Sequence, residues 1–211
     1  MSGRELLSLT LDRLDDLPDP CRTCLFWELD PVLAHRAQVR GDSELDKESW
    51  VSAALLAWGS VGRIAYVDGS PAGYVTYAPA YLVPRATGFP TAPVSADAVL
   101  LMTAAVSPEH AGGGLGRMLV QAAAKDLNRR NIRAMEAFGR SGVLAAQPGG
   151  CVLPAQFLSA VGFKTVREHA VWPRMRLDLR TVQSWREDME AAVERLLQQV
   201  RTPVLTRGRQ V

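Results

Sequence analysis

An α/β (α+β) domain, a mostly antiparallel sheet flanked by helices, is the fold class this sequence predicts. Three observations predict it. Two β-prone runs flank Asp68-Gly69-Ser70-Pro71, the pattern of a hairpin. An apolar strand run, DAVLLMTAAV, leads through a glycine stretch into the helix-forming run GRMLVQAAAKDLNRR. Further on, KTVREHAVW and RMRLDLR read as two strands that close the sheet antiparallel.

The other elements follow in order. ELLSLTLDRL alternates loosely and predicts a first strand, stopped by the Asp and Pro residues from Asp15 to Pro20. CRTCLFWELDPVLAHRAQ (21–38) and DKESWVSAALLAWG (46–59) predict two helices. In the second, Trp50, Ala54, Leu55 and Trp58 recur at helical spacing, and Gly59 is the stop. RIAYVDGSPAGYVTYA is the hairpin. The proline-rich stretch from Pro79 to Val94 is long for a loop, and such loops are often functional or mobile. IRAMEAF predicts a buried strand, GRSGVLAAQPGG (139–150) a loop and LPAQFLSAVGF a short helix. TVQSWREDMEAAVERLLQQV predicts an amphipathic C-terminal helix, with Val182, Met189, Val193, Leu196 and Leu197 among its apolar positions. A basic tail follows it. The domain is expected over 1–180, with the helix and tail over 181–211.

Composition excludes several functions. The 211 residues are 47% hydrophobic and 22% charged, an ordinary balance for a packed core. A net charge of +2 gives no bulk attraction to nucleic acid or an anionic membrane, so neither is expected as a partner. No apolar run approaches the roughly 18 residues needed to span a bilayer. MSGRELLSLTLDRLDD carries no signal-peptide core, so a cytoplasmic location is expected. Three cysteines are too few for a disulfide scaffold, and reduced thiols are expected there.

The glycine stretch carries the functional signal. Four of the five residues from Gly112 to Gly116 are glycine, directly before a helix. Glycine permits φ > 0 and close approach of a ligand to the backbone. A helix N-terminus offers unpaired N–H groups and the positive end of the dipole, which suits an anion. A Walker A loop would need Gly-Lys-Ser/Thr, which is absent. The dinucleotide fingerprint GxGxxG does not fit Gly112-Gly113-Gly114-Leu115-Gly116, and the preceding hairpin argues against it. The bland alternative is a tight turn without a ligand, but that needs one or two glycines, not four.

VSPEHAGGGLGRML resembles the acyl-CoA motif of the GNAT acetyltransferase superfamily, V-x-P-x-x-(Q/R)-(R/G)-x-G-(I/L)-G-x-x-L. Val106, Pro108, Gly114, Leu115, Gly116 and Leu119 match it, and the element order matches over roughly residues 5–180. Ala111 stands where the family has Gln or Arg. The resemblance implies the GNAT fold, with a mixed, mostly antiparallel sheet and a splayed gap between its fourth and fifth strands. It implies that the amides of Gly112, Gly113, Gly114, Leu115, Gly116 and Arg117 cradle the pyrophosphate of acetyl-CoA. The main chain of Ala104, Ala105 and Val106 would pair with the pantetheine arm. The implied partners are acetyl-CoA and an amine acceptor, a small molecule or a protein amine, with a homodimer as a possible assembly and direct attack as the expected mechanism. No residue pattern names the acceptor. The rival is a CoA-binding or regulatory module without turnover.

Acyl transfer to an amine uses a base for the amine proton, a donor for the oxyanion and an acid for the leaving thiolate. Met135-Glu136-Ala137 resembles the family's Leu-Glu-Val, in which some members use the Glu as base. A carboxylate among Ile132, Ala134 and Phe138 costs free energy unless it is paired or solvated. So Glu136 is a candidate catalytic base, and the competing reading is an ion pair with an arginine such as Arg133 or Arg140. The family's N-x-x-A-x-x-x-Y-x-x-x-G-F, whose Tyr protonates the CoA sulfur, becomes CVLPAQFLSAVGF. Cys151 stands at the Asn, Leu158 at the Tyr, and Gly162-Phe163 match. Cys151 is a second catalytic candidate, as donor or nucleophile; buried packing is the commoner fate of a Cys. Cys21 and Cys24 form a CxxC, which can bind metal, act in redox or be incidental. Zinc usually wants four ligands, so no metal is expected. A third rival is a thiol- or metal-dependent regulator built on that pair. Trp27, Glu28 and Asp30 either help recognise a cationic amine or belong to the core and a solvated helix face.

Overall fold

The computed structural model describes residues 3–142 and 150–180. The amphipathic helix expected after residue 181, its tail and the middle of the 139–150 loop lie outside the described residues.

One seven-stranded sheet organises the chain. Its strands are β1 (Arg4–Ser8), β2 (Gly62–Val67), β3 (Ser70–Ala78), β4 (Ala98–Val106), β5 (Ala134–Phe138), β6 (Lys164–Arg167) and β7 (Arg174–Asp178). They lie in the order β1-β2-β3-β4-β5-β7-β6. All neighbours are antiparallel except β4 and β5, which run parallel. The helices are α1 (Pro31–Arg40), α2 (Ser43–Trp58), α3 (Leu115–Arg129) and α4 (Ala155–Ala160). The mixed, mostly antiparallel α/β architecture is thus as expected. The β2–β3 turn has Asp68 at φ 51° and Gly69 at φ 82°, the left-handed pair that a tight hairpin demands.

Two expectations are corrected. The first helix does not cover 21–38; it begins only at Pro31. The Asp30 side chain accepts from the amides of Val32 and Leu33 at 2.9 and 3.1 Å, a helix cap, and Pro31 takes the first position, where no N–H is missed. The CxxC therefore lies in turns that precede the helix. The first strand also stops early, and Leu11–Asp16 form a 3-10 turn. The proline-rich stretch is built into the core. Val83, Ala86, Phe89 and Thr91 are all buried, along a stretch that contains two 3-10 turns, Ala80–Leu82 and Pro84–Gly88.

The two faces of the sheet are covered differently. On one, α3 packs Leu115, Leu119, Val120 and Leu127 against Val75, Tyr77, Leu101 and Met135. On the other, Trp27, Val83, Phe89 and Val152 cover Leu100, Met102 and Phe138, while α2 covers Ile64 and Tyr74 through Val51 and Ala54. Asp126 ties α3 to the sheet. Its carboxylate accepts from Arg63 Nη2 at 2.5 Å and from the Tyr77 hydroxyl at 2.8 Å. Burial works against its charge, but the Tyr77 hydroxyl and the Arg63 guanidinium outweigh that and hold the carboxyl below the usual carboxylate range.

A depressed folded pKa means the unfolded chain binds the proton more readily. The stabilisation is complete above about pH 4 and is lost as pH falls through the folded value. Asp126→Asn should lose about 1–3 kcal/mol at neutral pH, the worth of hydrogen bonds to a buried charge. Urea midpoints measured from neutral to acid pH should show the gap to wild type closing below about pH 4.

Candidate functional site

β4 is paired differently on its two edges. Towards β3 it pairs along its length, from Ala78↔Leu100 to Gly73↔Val106, with a slip that leaves Met102 as an extra residue between Tyr77↔Leu101 and Thr76↔Thr103. Towards β5 the pairing covers only Ala98↔Ala134, Val99↔Met135 and Leu100↔Glu136. The bulge thus stands where the parallel strands part. A bulge bends its strand and ends regular pairing. Beyond it Thr103, Ala104, Ala105 and Val106 are half-buried and have no ladder to β5, which turns to β7. The edge left open is a strip of backbone donors and acceptors that suits an extended amide chain.

The strip leads into the glycine loop. Gly112 and Gly114 have φ of 78° and 79°, and a Cβ on either would meet nothing within 4 Å. The backbone conformation, not crowding, requires glycine there. Gly114 caps α3 and supplies no side-chain hydrogen bond, and residues 111–114 are exposed. The first amides of α3 therefore stand open to an anion, at the positive end of a 15-residue helix. Gly116 serves packing: a Cβ there would meet the Phe157 ring of α4 at 3.3 Å. Leu115 is buried, and the Arg117 side chain donates to the Ala160 carbonyl at 2.7 Å, so the loop is offered only the amides of these two residues. Sequence reasoning missed Arg4, whose Nη1 lies 3.3 Å from the Gly113 carbonyl, because its nearness depends on β1 folding beside the loop.

The other sheet face carries a wall of rings and thiols. Phe89 stacks on Phe138 at 4.1 Å and on Trp27 at 5.3 Å, with Trp172 edge-on at 5.7 Å. Trp27 Nε1 donates to the Cys151 carbonyl at 2.8 Å. Cys24 and Cys151 Sγ lie 3.1 Å apart. The hydrogen bond from Cys151 outweighs burial and draws the Cys24 thiol down to about 6, while the same contact and burial push the Cys151 thiol up. Glu28 is neither solvated nor open to an amine: it is buried and paired with Lys47, which also donates to the Cys24 carbonyl at 2.9 Å. Trp27 is core and Asp30 is the helix cap, so these three form no acceptor site. Among the described residues, no group of three His, Cys, Asp or Glu could hold a metal ion, and no helix is long and apolar enough to cross a membrane.

Glu136 is fully buried, and its partners are not Arg133 or Arg140. Its carboxylate accepts from Arg174 Nη1 at 2.6 Å, Arg176 Nη1 at 3.2 Å and the Ser95 amide at 3.1 Å. Arg176 continues to Asp97 through two bonds of 2.9 and 2.8 Å. The alternating pattern of β7 puts both arginines on the Glu136 face, a pairing set by β5–β7 register and invisible in linear sequence. Leu158 is fully buried in the α3-side core, so the position of the family's Tyr offers no proton.

An open strand edge runs into a glycine-led helix that has no side-chain cap, an arrangement that suits an extended chain ending in a phosphate-type anion. The sequence profile of the acetyltransferase (GNAT) family matches residues 11–148, and the chain belongs to that family of acyl-CoA-dependent N-acyltransferases. Among functionally curated proteins no sequence matches. Among solved structures, the PaiA N-acetyltransferase of Thermoplasma acidophilum, in complex with coenzyme A, is similar at 13% identity and a TM-score of 0.55, over 83% of this chain and 99% of that one. Ard1 from Thermoplasma volcanium is similar at 11% identity and 0.52, over 83% and 97%. An N-acetyltransferase from Staphylococcus aureus Mu50 is similar at 13% and 0.51, over 84% and 99%. At such identities the likeness is one of fold.

Removing the Glu136 charge leaves two largely buried guanidiniums without their shared partner. Glu136→Gln should cost about 3–5 kcal/mol, read from denaturant midpoints. Pairing it with Arg174→Met should recover part of that loss, which a double-mutant cycle measures.

Proposed function

We propose that the protein transfers an acetyl group from acetyl-CoA to an amine by direct attack, without a covalent enzyme intermediate. The observation that carries this reading is the continuity of the open β4 edge with the uncapped start of α3. The pantetheine amides pair with Ala104–Val106, and the pyrophosphate sits on the amides from Gly112 to Arg117. A solved relative in fold was obtained with coenzyme A, which supports the choice of ligand.

The chemistry follows from that placement. The thioester carbonyl lies beside the bulge, where backbone N–H groups released from the β5 ladder face the developing oxyanion. A neutral amine enters from the sheet face opposite α3. Glu136 holds β5 against β7 and so positions the far wall of the gap. Its oxygens are already engaged, which suits a positioning residue better than a proton acceptor. Cys151 has no nucleophilic step to perform in direct attack, and its raised thiol pKa fits that. Coenzyme A leaves as a thiolate, whose conjugate acid has a pKa of about 8.5 on the cysteine reference, so departure near neutral pH does not depend on a residue at position 158.

Gly114→Asp places a carboxylate at the helix start, where it meets the pyrophosphate. Gly114→Asn shares the shape and tolerates the left-handed backbone. Calorimetric titration with CoA should give an affinity at least about tenfold weaker for the Asp variant than for the Asn variant, the scale of one like-charge contact. Equal affinities would remove the site from this loop. A panel of amines with acetyl-CoA then tests turnover.

A further inference from the structure

Three free thiols that lie far apart in sequence converge on the ring-bearing wall. Cys21, Cys24 and Cys151 are all half-buried. Cys24 and Cys151 are 127 positions apart, with their sulfurs 3.1 Å apart. Cys21 packs by Tyr74 and Ala105 in the neighbouring cluster and bears electrostatically on Cys151 and Tyr74. Direct attack on acetyl-CoA uses none of the three.

We propose that Cys24 and Cys151 form an oxidative modification site, at which a peroxide joins the two sulfurs in a disulfide. The segments that carry them are already registered. Trp27 Nε1 holds the Cys151 carbonyl at 2.8 Å, and Lys47 Nζ holds the Cys24 carbonyl at 2.9 Å. A disulfide needs sulfurs about 2.05 Å apart, so they have only about 1 Å to close. The Cys151 thiol, 3.1 Å away, donates to Cys24 and favours its charged form against burial and the nearby Glu28 carboxylate, which makes Cys24 the attacking sulfur. Its thiolate attacks one peroxide oxygen and breaks the O–O bond. With a proton from solvent this gives a sulfenic acid and one water. The Cys151 sulfur then attacks the sulfenic sulfur, loses its proton and expels the second water. Two thiols are oxidised by two electrons, and hydrogen peroxide is reduced to two waters.

The bond would staple the turn before α1 to the run at 151–154, which ends in an isolated bridge between Arg140 and Pro154. That run is bonded to the chain leaving β5: the Arg140 amide donates to Leu153 at 2.8 Å and the Ala155 amide to Arg140 at 3.0 Å. The modification therefore fastens the far wall of the β4–β5 gap to the segment opposite it.

The test uses the full chain and hydrogen peroxide. Protein treated with a modest excess of peroxide is denatured in N-ethylmaleimide and weighed. Wild type should carry a single maleimide, on Cys21, and lose two hydrogens of mass. Peptide mapping should find Cys24 linked to Cys151, and dithiothreitol should restore three maleimides. Cys21→Ser should keep the link. Cys24→Ser and Cys151→Ser should each show no internal link. A Cys21–Cys24 link, a link between chains, sulfinic acid without a disulfide, or three free thiols where a dithiol control peptide is fully oxidised would each overturn the proposal.

Discussion

The backbone of β4 must satisfy its hydrogen bonds on two sides, and the chain lets it do so fully on one. Opposite β3 it has a partner along its length; opposite β5 it has three. Unpaired buried amides are costly, so an edge like this persists only where it faces water or a ligand. The Met102 bulge releases the edge, the glycine loop continues it, and α3 supplies the dipole that ends it. The tight contact with β3 keeps the strand from drifting across to close the gap. A Cβ on Gly73 would meet the Ala105 carbonyl at 2.7 Å, so β3 and β4 approach as closely there as glycine allows.

Buried charges fix how the elements around the sheet meet. Asp126 binds α3 to β2 and β3, and Glu136 binds β5 to β7 while accepting from the Ser95 amide that leads into β4. Lys47 and Glu28 pin the turn before α1 to α2. A buried ion pair contributes little net stability against an apolar pair of equal volume, yet breaking one is expensive. Its value here is geometric, because each pair favours one arrangement of the elements it joins.

How much of this was legible in the sequence depends on the range of each cause. The hairpin at Asp68-Gly69, the apolar β4, the glycine loop and the α3 that follows are local in origin, and each was read at nearly its true position. Local reading failed before α1, where a helix is expected from residue 21 although Asp30-Pro31 fixes the start. It also treated residues 79–94 as a loop, because the rings that bury Phe89 come from Trp27, Phe138 and Trp172. The partners of Glu136 and the meeting of Cys24 with Cys151 depend on register across distant elements, and no spacing in the chain announces them. Gly116 is expected in the anion loop, while the absence of its side chain is explained by Phe157, whose ring a Cβ there would meet at 3.3 Å.

Leu158 shows why a missing side chain need not mean a missing activity. Its side chain is fully buried on the α3 side of the sheet, so a Tyr there would have to displace core atoms before its hydroxyl reached the gap. Leu158 instead fills this part of the core. In acyl transfer that donor matters in proportion to the basicity of the leaving group. A thiolate with a conjugate acid near 8.5 is a far better leaving group than the amine competing with it, whose reference value is near 10.4. Once the amine nitrogen has lost its proton, the tetrahedral adduct collapses towards the amide even without an acid at position 158. The step that most needs help from the protein is therefore charge build-up on the carbonyl oxygen. The β4 backbone released from the β5 ladder is suited to that need, because its donors are main-chain groups that require no particular side chain.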